Sequence, residues 1–496
     1  MKESIDSTRQ KYSLDFSKIH KIIRPADVRE TDRIEARIRL RDNKDYIHAR
    51  VWKMSPLGIE LVQPVEGPPL TKGDPLDLEL LVAGQRLKFE GLIVDLAKAN
   101  DSISLAGVRF NKPHLELSDK SERRNVERWM CSPDYHPTAV CPTPGHIRDH
   151  MFFKIADISS EGLQLTCSLR NKMPVPGLIL SLTSNFGVDG TFNTPVQIVR
   201  VGFTTEGGKD RLSVGVKFLK LTDRMKSIMG QYLVQFSNVQ SIDDLRTQGF
   251  WPASIANAVN FSYLTTEAEY AEVLKLRKRA HDADKNLNED VSEEDMGDMH
   301  DTSCRIIIGS HNGKLVCTAR VRFNSPEEPL EHEAFVTWPT ELPQRNEIIE
   351  IGRLALDPEY RHGDLLQGLF EYMAATCVHD RSYVVMSCLA KMVKFFEKLG
   401  FVDTGLRYEG SIFNDTAYVL IGDTQSAMVG KNVNPIYWNL IWKRVSSYML
   451  ESQVFEVHGL DRIRLTMYKM VSPIAAGLAR YRNWRIKKNP RPNPKQ

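Results

Sequence analysis

The chain has 496 residues, with 66 Lys and Arg against 63 Asp and Glu and a formal net charge of +3. That length exceeds what one hydrophobic core supports, so two to four domains are expected. The near-balance of charge argues against a general polyanion binder, and no run of about 18 apolar residues is present to span a membrane.

The seven cysteines (Cys131, Cys141, Cys167, Cys304, Cys317, Cys377 and Cys388) are odd in number and scattered. They lack metal-ligand spacing, so no metal is expected and they read as reduced thiols. The polar start, Met1-Lys2-Glu3-Ser4, has no apolar signal core, and the expected location is cytoplasmic. Charge is uneven, however. From Ile421 onward there are 13 basic residues against 4 acidic ones, which suits an acidic partner protein, an anionic membrane surface or nucleic acid.

After an extension over residues 1–29, short apolar strands alternate with turn signals over about 30–118. They are Ile34–Leu40, Ile47–Lys53, Gly58–Val62, Leu76–Val82 and Leu87–Val94, broken at Pro56, Gly67-Pro68-Pro69 and Gly73-Asp74-Pro75. The spacing predicts a small antiparallel barrel. Residues 119–240 repeat the pattern. Met54-Ser55-Pro56-Leu57-Gly58 aligns with Ile158-Ser159-Ser160-Glu161-Gly162, and Gly107-Val108-Arg109-Phe110 with Gly215-Val216-Lys217-Phe218. A helix over Asp223–Gln240, with Thr222 as its N-cap, leads into a linker over 241–259.

From 260 to 422 strands and helices alternate, which predicts a mixed α/β sheet. The helices are Ala268–Ala280, Asp364–Val378 and Lys391–Leu399. The strands are Cys304–Ser310, Leu315–Phe323, Glu347–Leu356 and Ser382–Cys388. An acidic loop, Asp282–Asp301, follows the first helix. The stripe Leu366, Leu369, Phe370 and Met373 reads as core, with an acyl tunnel as the alternative. Residues 423–496 form a basic helical extension. Asn434-Pro435 opens a helix with Trp438, Ile441, Trp442 and Val445 on one face. Pro473 is expected to start another, carrying Arg480, Arg482, Arg485, Lys487 and Lys488.

The motif with most chemical content is Asp157-x-Ser159-x-x-Gly162, preceded by Arg123, Arg124 and Arg128. Arginine can chelate guanine O6 and N7 or clamp a phosphate, and Asp157 can accept from guanine N–H groups. Ser159 can donate to a phosphate, and Gly162 leaves room where a side chain would clash. Read blandly, this is a strand, a turn and a second strand beside solvated arginines. The paired arginines and the flanking strands make it resemble the PilZ family. That resemblance implies a cyclic di-GMP receptor. In the first repeat Lys53 replaces the aspartate, and the candidate pair Arg33 and Arg37 falls in a strand. That copy is therefore expected to be a structural or docking module.

Residues 260–422 resemble the GNAT superfamily, in its branch of N-acyl amino acid and acyl-homoserine-lactone synthases. The carrying stretches are Gly313–Arg322, Glu350-Ile351-Gly352-Arg353-Leu354-Ala355-Leu356-Asp357-Pro358, and Phe395-Phe396-Glu397-Lys398-Leu399-Gly400-Phe401. The resemblance implies that Glu350 is the base and that Arg353 and Arg320 hold an acceptor carboxylate or Glu350 itself. A structural Glu–Arg pair is the alternative. It also implies that Leu354, Leu356, Arg361 and Gly363 meet the acyl donor. Asp364 and Leu366 replace the small residues of the usual diphosphate loop, which favours acyl carrier protein over coenzyme A. The absence of Tyr at Phe395 or Phe396 leaves the leaving thiolate without an acid there.

The expected architecture is thus multidomain: two antiparallel β-barrels, an α/β mixed sheet and a helical extension. The expected function is a cyclic di-GMP-responsive N-acyltransferase acting on an amine such as an amino acid. The alternatives are a non-catalytic effector with a degenerate acyltransferase frame, or an autoinducer synthase. Cyclic di-GMP, acyl carrier protein and a membrane surface are the expected partners, and nucleic acid is not.

Overall fold

The computed structural model describes residues 26–28, 34–40, 44–62, 69–100, 103–113, 126–144, 149–169, 174–361, 363–377, 381–410, 412–452 and 456–488. The chain divides into two compact units, Met1–Ala253 and Ser254–Gln496.

The first unit contains two antiparallel sheets. One comprises β1 (Ala26–Asp27), β2 (Glu35–Leu40), β3 (Ile47–Ala49), β4 (Val51–Ser55), β5 (Gly58–Val62), β6 (Pro75–Val82), β7 (Gln85–Asn100) and β8 (Ile103–Pro113). Strands β3 and β4 are one strand interrupted at Arg50. The first half pairs with β2 and the second with β5, which brings the order β2-β6-β7-β8-β5 round on itself. Apolar and polar residues alternate along β6 (Pro75–Val82), so Leu76, Leu78, Leu80 and Val82 line the interior.

The second sheet repeats this plan. It comprises β9 (Trp129–Met130), β10 (Thr138–Pro142), β11 (His150–Ile158), β12 (Gly162–Ser168), β13 (Ile179–Asn185), β14 (Thr191–Glu206) and β15 (Lys209–Phe218). Strand β11 pairs with both β10 and β12 and closes a ring of six, with β9 added outside β11. The repeats agree to the residue. Ala26 lies opposite Met54 as Trp129 lies opposite Ile158, and Gly58 opposite Arg109 as Gly162 opposite Lys217. Both carry bulges at matching places, Val51/Lys53 with Ile155/Asp157 and Ile93/Asp95 with Ile198/Arg200. Helix α1 (Asp223–Phe236) is capped by Thr222, whose side chain accepts from Met225 N–H, as its sequence predicts. Its buried Ile228, Met229, Tyr232 and Leu233 pack it into the unit's core.

The second unit is built on a seven-stranded mixed sheet. Its strands are β16 (Asn260–Tyr263), β17 (Arg305–His311), β18 (Lys314–Phe323), β19 (Ile348–Leu356), β20 (Tyr383–Leu389), β21 (Phe401–Glu409) and β22 (Thr416–Asp423), in the order β16-β17-β18-β19-β20-β22-β21. Only the β19–β20 pair is parallel. Helices α2 (Glu267–Asp284), α3 (Leu365–Cys377) and α4 (Ala390–Glu397) alternate with the strands. Leu369 and Met373 of the predicted stripe are buried, while Leu366 and Phe370 are half-buried.

Beyond the sheet, α5 (Lys443–Glu451) and α6 (Gly459–Lys488) form the extension. The expected helix start at Pro473 is corrected: α6 runs through it. Proline removes one hydrogen bond to the preceding turn. The turns before it are held from outside the helix, by buried Leu465 and by Ser472, which accepts from Lys443 Nζ at 2.8 Å. Among the described residues no helix is long and apolar enough to cross a membrane.

Candidate functional sites

The first site lies where β9 meets β11. Trp129 is buried and its ring meets Phe250 edge-on at 5.5 Å. Cys131 N–H donates to Ala156 O, and Ser237 Oγ donates to Met130 O. These contacts fix the short arm, and Arg128 at its start reaches Asp157 with an Nη1–Oδ1 distance of 3.3 Å. Arg128 stays half exposed while Asp157 is largely covered. Burial pushes the Asp157 carboxyl above its usual range, against the pull of Arg128 and Arg200.

One expectation changes here. Ser159 is buried, and its hydroxyl donates to Gly162 O and accepts from Gly162 N–H, both at 3.1 Å. It closes the turn, so its proton is committed to the protein rather than to a phosphate. Gly162 is required for close approach between strands, since a Cβ there would sit 2.0 Å from Val216 O. Arg123 and Arg124 lie outside the described residues. A cavity of about 580 Å³, lined in part by Phe152, Lys154, Glu206 and Arg211, opens elsewhere on this barrel and includes none of the signature residues.

The structure adds Arg200 and Gln164, which sequence reasoning missed. Arg200 lies at the β14 bulge over Gly215, where a Cβ would meet its Cγ at 2.8 Å. It donates to Gln164 Oε1, while Gln164 Nε2 donates to Ser213 Oγ at 2.8 Å. The available signal was the repeat itself, because this bulge aligns with the one at Asp95 in the first barrel.

The second site lies where β19 and β20 part. Their pairing ends at Ile351 and Met386, although both strands continue. On the other edge of β19, Thr318 lies opposite Ala355 and Arg320 opposite Gly352, a bulge that takes up Arg353 and Leu354. Arg353 has φ of 52°, a left-handed conformation for a residue with a side chain. Such backbone costs about 1–3 kcal/mol and gathers at functional sites. Leu354 and Leu356 are half-buried along this splay.

Glu350 sits one turn of the pleat before the splay and is 6% exposed. Its Oε1 accepts from Glu331 N–H at 2.8 Å and lies 3.2 Å from His332 Nδ1. Its Oε2 and His332 Nε2 are both buried without a hydrogen-bond partner among the described residues. Arg322 approaches Oε2 at 3.8 Å. Tyr408 on β21 is also on this side, within electrostatic reach of Glu331, Arg353 and Glu350, and burial raises its pKa. Its ring stacks on Phe335 at 4.8 Å.

The expected arginine roles are corrected. Arg353 and Arg320 do not hold Glu350. Arg353 donates to Asp298 at 2.6 Å, and Arg320 donates to Asp298 at 2.5 Å and to Asp301 at 2.9 Å. Arg320 also pairs with Glu331. Arg277 meets Asp301 through both of its terminal nitrogens. Burial works against ionisation of Asp298, but Arg320 and Arg353 overcome it and hold its carboxyl well below the usual range. With 2% of its side chain exposed, Arg320 braces the sheet against the acidic loop, while Arg353 remains partly open.

The donor loop also differs from expectation. Arg361 is turned onto the end of α2, donating to Asp284 and to Ala280 O at 2.5 Å each. Asp364 accepts from the N–H groups of Ile255 and Ala256 and from Ser254 Oγ, at 2.7, 3.0 and 2.6 Å. Its charge is thus satisfied by the chain itself. That strand of backbone also crowds Gly363, where a Cβ would meet Ile255 at 2.8 Å. Cys388 is a free thiol pushed up to about 12 by burial, which suits a structural residue. Among the described residues no group of His, Cys, Asp and Glu could hold a metal ion.

Comparison with known proteins agrees with this division. Residues 122–235 match the model of the PilZ domain, and residues 272–410 match that of the N-acyl amino acid synthase FeeM. No curated protein matches the chain. Among solved structures, the chain is similar to the MrkH–c-di-GMP complex of K. pneumonia at 15% identity, covering 40% of this chain and 85% of that one, with a TM-score of 0.20. It is similar to FeeM from uncultured soil microbes at 15% identity, covering 34% and 93%, with a TM-score of 0.27. ElaA of Escherichia coli matches at 20% identity, covering 33% and 99%, with a TM-score of 0.24. The chain is thus similar to the PilZ domain over residues 122–235 and to the N-acyl amino acid synthase FeeM over residues 272–410.

Proposed function

We propose that the protein is an N-acyltransferase of the N-acyl amino acid synthase type whose activity responds to cyclic di-GMP. The observation that carries the catalytic part is the buried Glu350 Oε2, without a hydrogen-bond partner among the described residues, beside the splay of β19 and β20. The gap left by β20 accepts the pantetheine arm of an acyl thioester. Backbone N–H groups along 353–356 stabilise the oxyanion as the thioester carbonyl is attacked. The acceptor enters as an amine, and Glu350 takes its proton while the new N–C bond forms. The C–S bond then breaks and a thiolate leaves, with Tyr408 as the available proton source that α4 does not provide. His332 holds Glu350 in place through Oε1, and Arg353 orients an acceptor carboxylate from the open side of its pair with Asp298.

For the donor, acyl carrier protein fits better than coenzyme A. Asp364 and the Ser254–Ala256 segment occupy the loop where a diphosphate would need free N–H groups. On the receptor side, Arg128 and Arg200 set two guanidiniums about the Asp157 carboxylate. This combination suits a guanine edge and a phosphate.

The test is thioester cleavage by the purified full chain. Acyl carrier protein or coenzyme A thioesters are supplied with a panel of amino acids, with and without cyclic di-GMP. The expected result is amine-dependent thiol release, preferring the carrier thioester and altered by the dinucleotide. Glu350→Gln should melt like the parent and lose about 100- to 10,000-fold in turnover. Tight dinucleotide binding without thiol release from any donor would replace this reading with a non-catalytic effector.

A further inference from the structure

Helix α6 has two faces, and only one is used by the fold. Leu465 and Ser472 are buried, and Tyr468 donates to Val433 O at 2.6 Å while its ring meets Trp438 edge-on at 5.2 Å. The opposite face carries Leu460, Ile463, Met467, Met470, Val471 and Ile474, all exposed, with 78% exposure at Leu460 and 73% at Met470. At about 100° per residue these six fall within an arc of about 100° and run for about 21 Å. Arg464 borders one edge of that arc and pairs with Asp461 at 2.8 Å, while the exposed Arg462 and Lys469 lie about 80–100° past the other edge. In the whole helix Asp461 is the single acidic residue against eight Lys and Arg.

We infer that this face of α6 lies on an anionic lipid bilayer surface, with the apolar stripe in the acyl boundary and the helix's excess of Arg and Lys drawing it to the headgroups. Exposed aliphatic and thioether side chains on a helix rich in Arg and Lys are the composition of an interfacial helix. The stripe also has the 3-4 spacing of a coiled-coil seam, but two features exclude a second copy as its occupant. It spans only about two heptads, short of what a stable coiled coil requires. Two such helices, each with eight Lys and Arg against one Asp, would also repel one another, whereas anionic headgroups neutralise them. The helix is too polar to span a membrane, so it rests on one face.

Co-sedimentation of the full chain with vesicles tests this. Binding is expected to phosphatidylcholine vesicles containing about 30% phosphatidylglycerol and to be at least tenfold weaker to phosphatidylcholine alone. Ile463→Glu with Met470→Glu should abolish binding, and because both residues are exposed the thermal melting curve should not move. Arg462→Gln with Lys469→Gln should weaken binding about 25-fold, roughly fivefold for each charge removed. Equal binding by the Ile463→Glu, Met470→Glu variant would overturn the inference, as would failure of the parent chain to sediment with either vesicle. A dimer dispersed by that same variant would reassign the stripe to self-association. Stripe-dependent capture of an acidic carrier protein without vesicles would reassign it to a protein partner.

Discussion

In each barrel a serine hydroxyl closes a turn on a glycine carbonyl, Ser55 on Gly58 at 3.0 Å and Ser159 on Gly162 at 3.1 Å. The strands on either side hold the same register and bulge at the same places. Around this shared frame the charges are exchanged. Lys53 stands where Asp157 does, and Asp95 where Arg200 does. The intervening strand has Glu60 in one barrel, 3.7 Å from Lys53, and Gln164 in the other. The frame depends on backbone pairing and buried apolar residues, which both copies supply. The charge cluster depends on partly exposed side chains, which can reverse sign without disturbing a strand. A carboxylate beside two arginines can receive a guanine edge and a phosphate together, whereas a lysine beside two carboxylates repels the phosphate and offers guanine N–H groups no acceptor at its own position.

Substitutions at these positions test the contrast. Asp157→Lys, which gives the second barrel the charge of the first, should cost at least about 100-fold in cyclic di-GMP affinity by calorimetry. That corresponds to about 3 kcal/mol for losing a charged hydrogen bond. An unchanged affinity would remove Asp157 from the site. Gly162→Ala should lower unfolding stability by about 2–3 kcal/mol in denaturant titration, because the new methyl meets Val216 O. A neutral outcome would mean that the strands can part there at little cost. Arg128→Ala should weaken dinucleotide binding about 10- to 100-fold with no change in melting temperature, since Arg128 is half exposed. In the first barrel, Lys53→Asp should leave the binding stoichiometry at one, because Asp95 and Glu60 still stand where Arg200 and Gln164 do in the second. A second site appearing would show that one charge sets the whole difference.

The smallest effect concerns pH. Burial leaves the Asp157 carboxyl titrating above its unfolded value. Its native form therefore holds a proton more tightly than the unfolded chain, and its contribution to stability falls as pH rises through that raised value. Asp157→Asn should remove this slope from a pH series of melting temperatures. A series that keeps its slope would place the titration elsewhere.

Much of this molecule was legible in its residues. The period-two alternation of Pro75–Val82, the Thr222 cap and the Ser-x-x-Gly turns each follow from local chemistry within a few residues. The aspartate at 157 and the lysine at 53 were likewise visible, and so was the Glu350–Arg353 strand. Partner choice was not legible. Asp298 is 55 residues from Arg353, and Arg200 is 36 residues from Gln164. Only the packed sheet brings these groups together, so the sequence could name Arg320 and Arg353 but not the carboxylates that claim them. His332 and Tyr408 were missed for the same reason, since nothing local sets them apart from other ring-bearing residues. The sequence by itself determined the repeat, the strands and the single acidic signature at 157. The tertiary structure decided which charges are consumed inside the fold and which, such as Arg128 and Glu350 Oε2, retain bonding capacity. That capacity depends on desolvation and neighbours in three dimensions rather than on spacing along the chain.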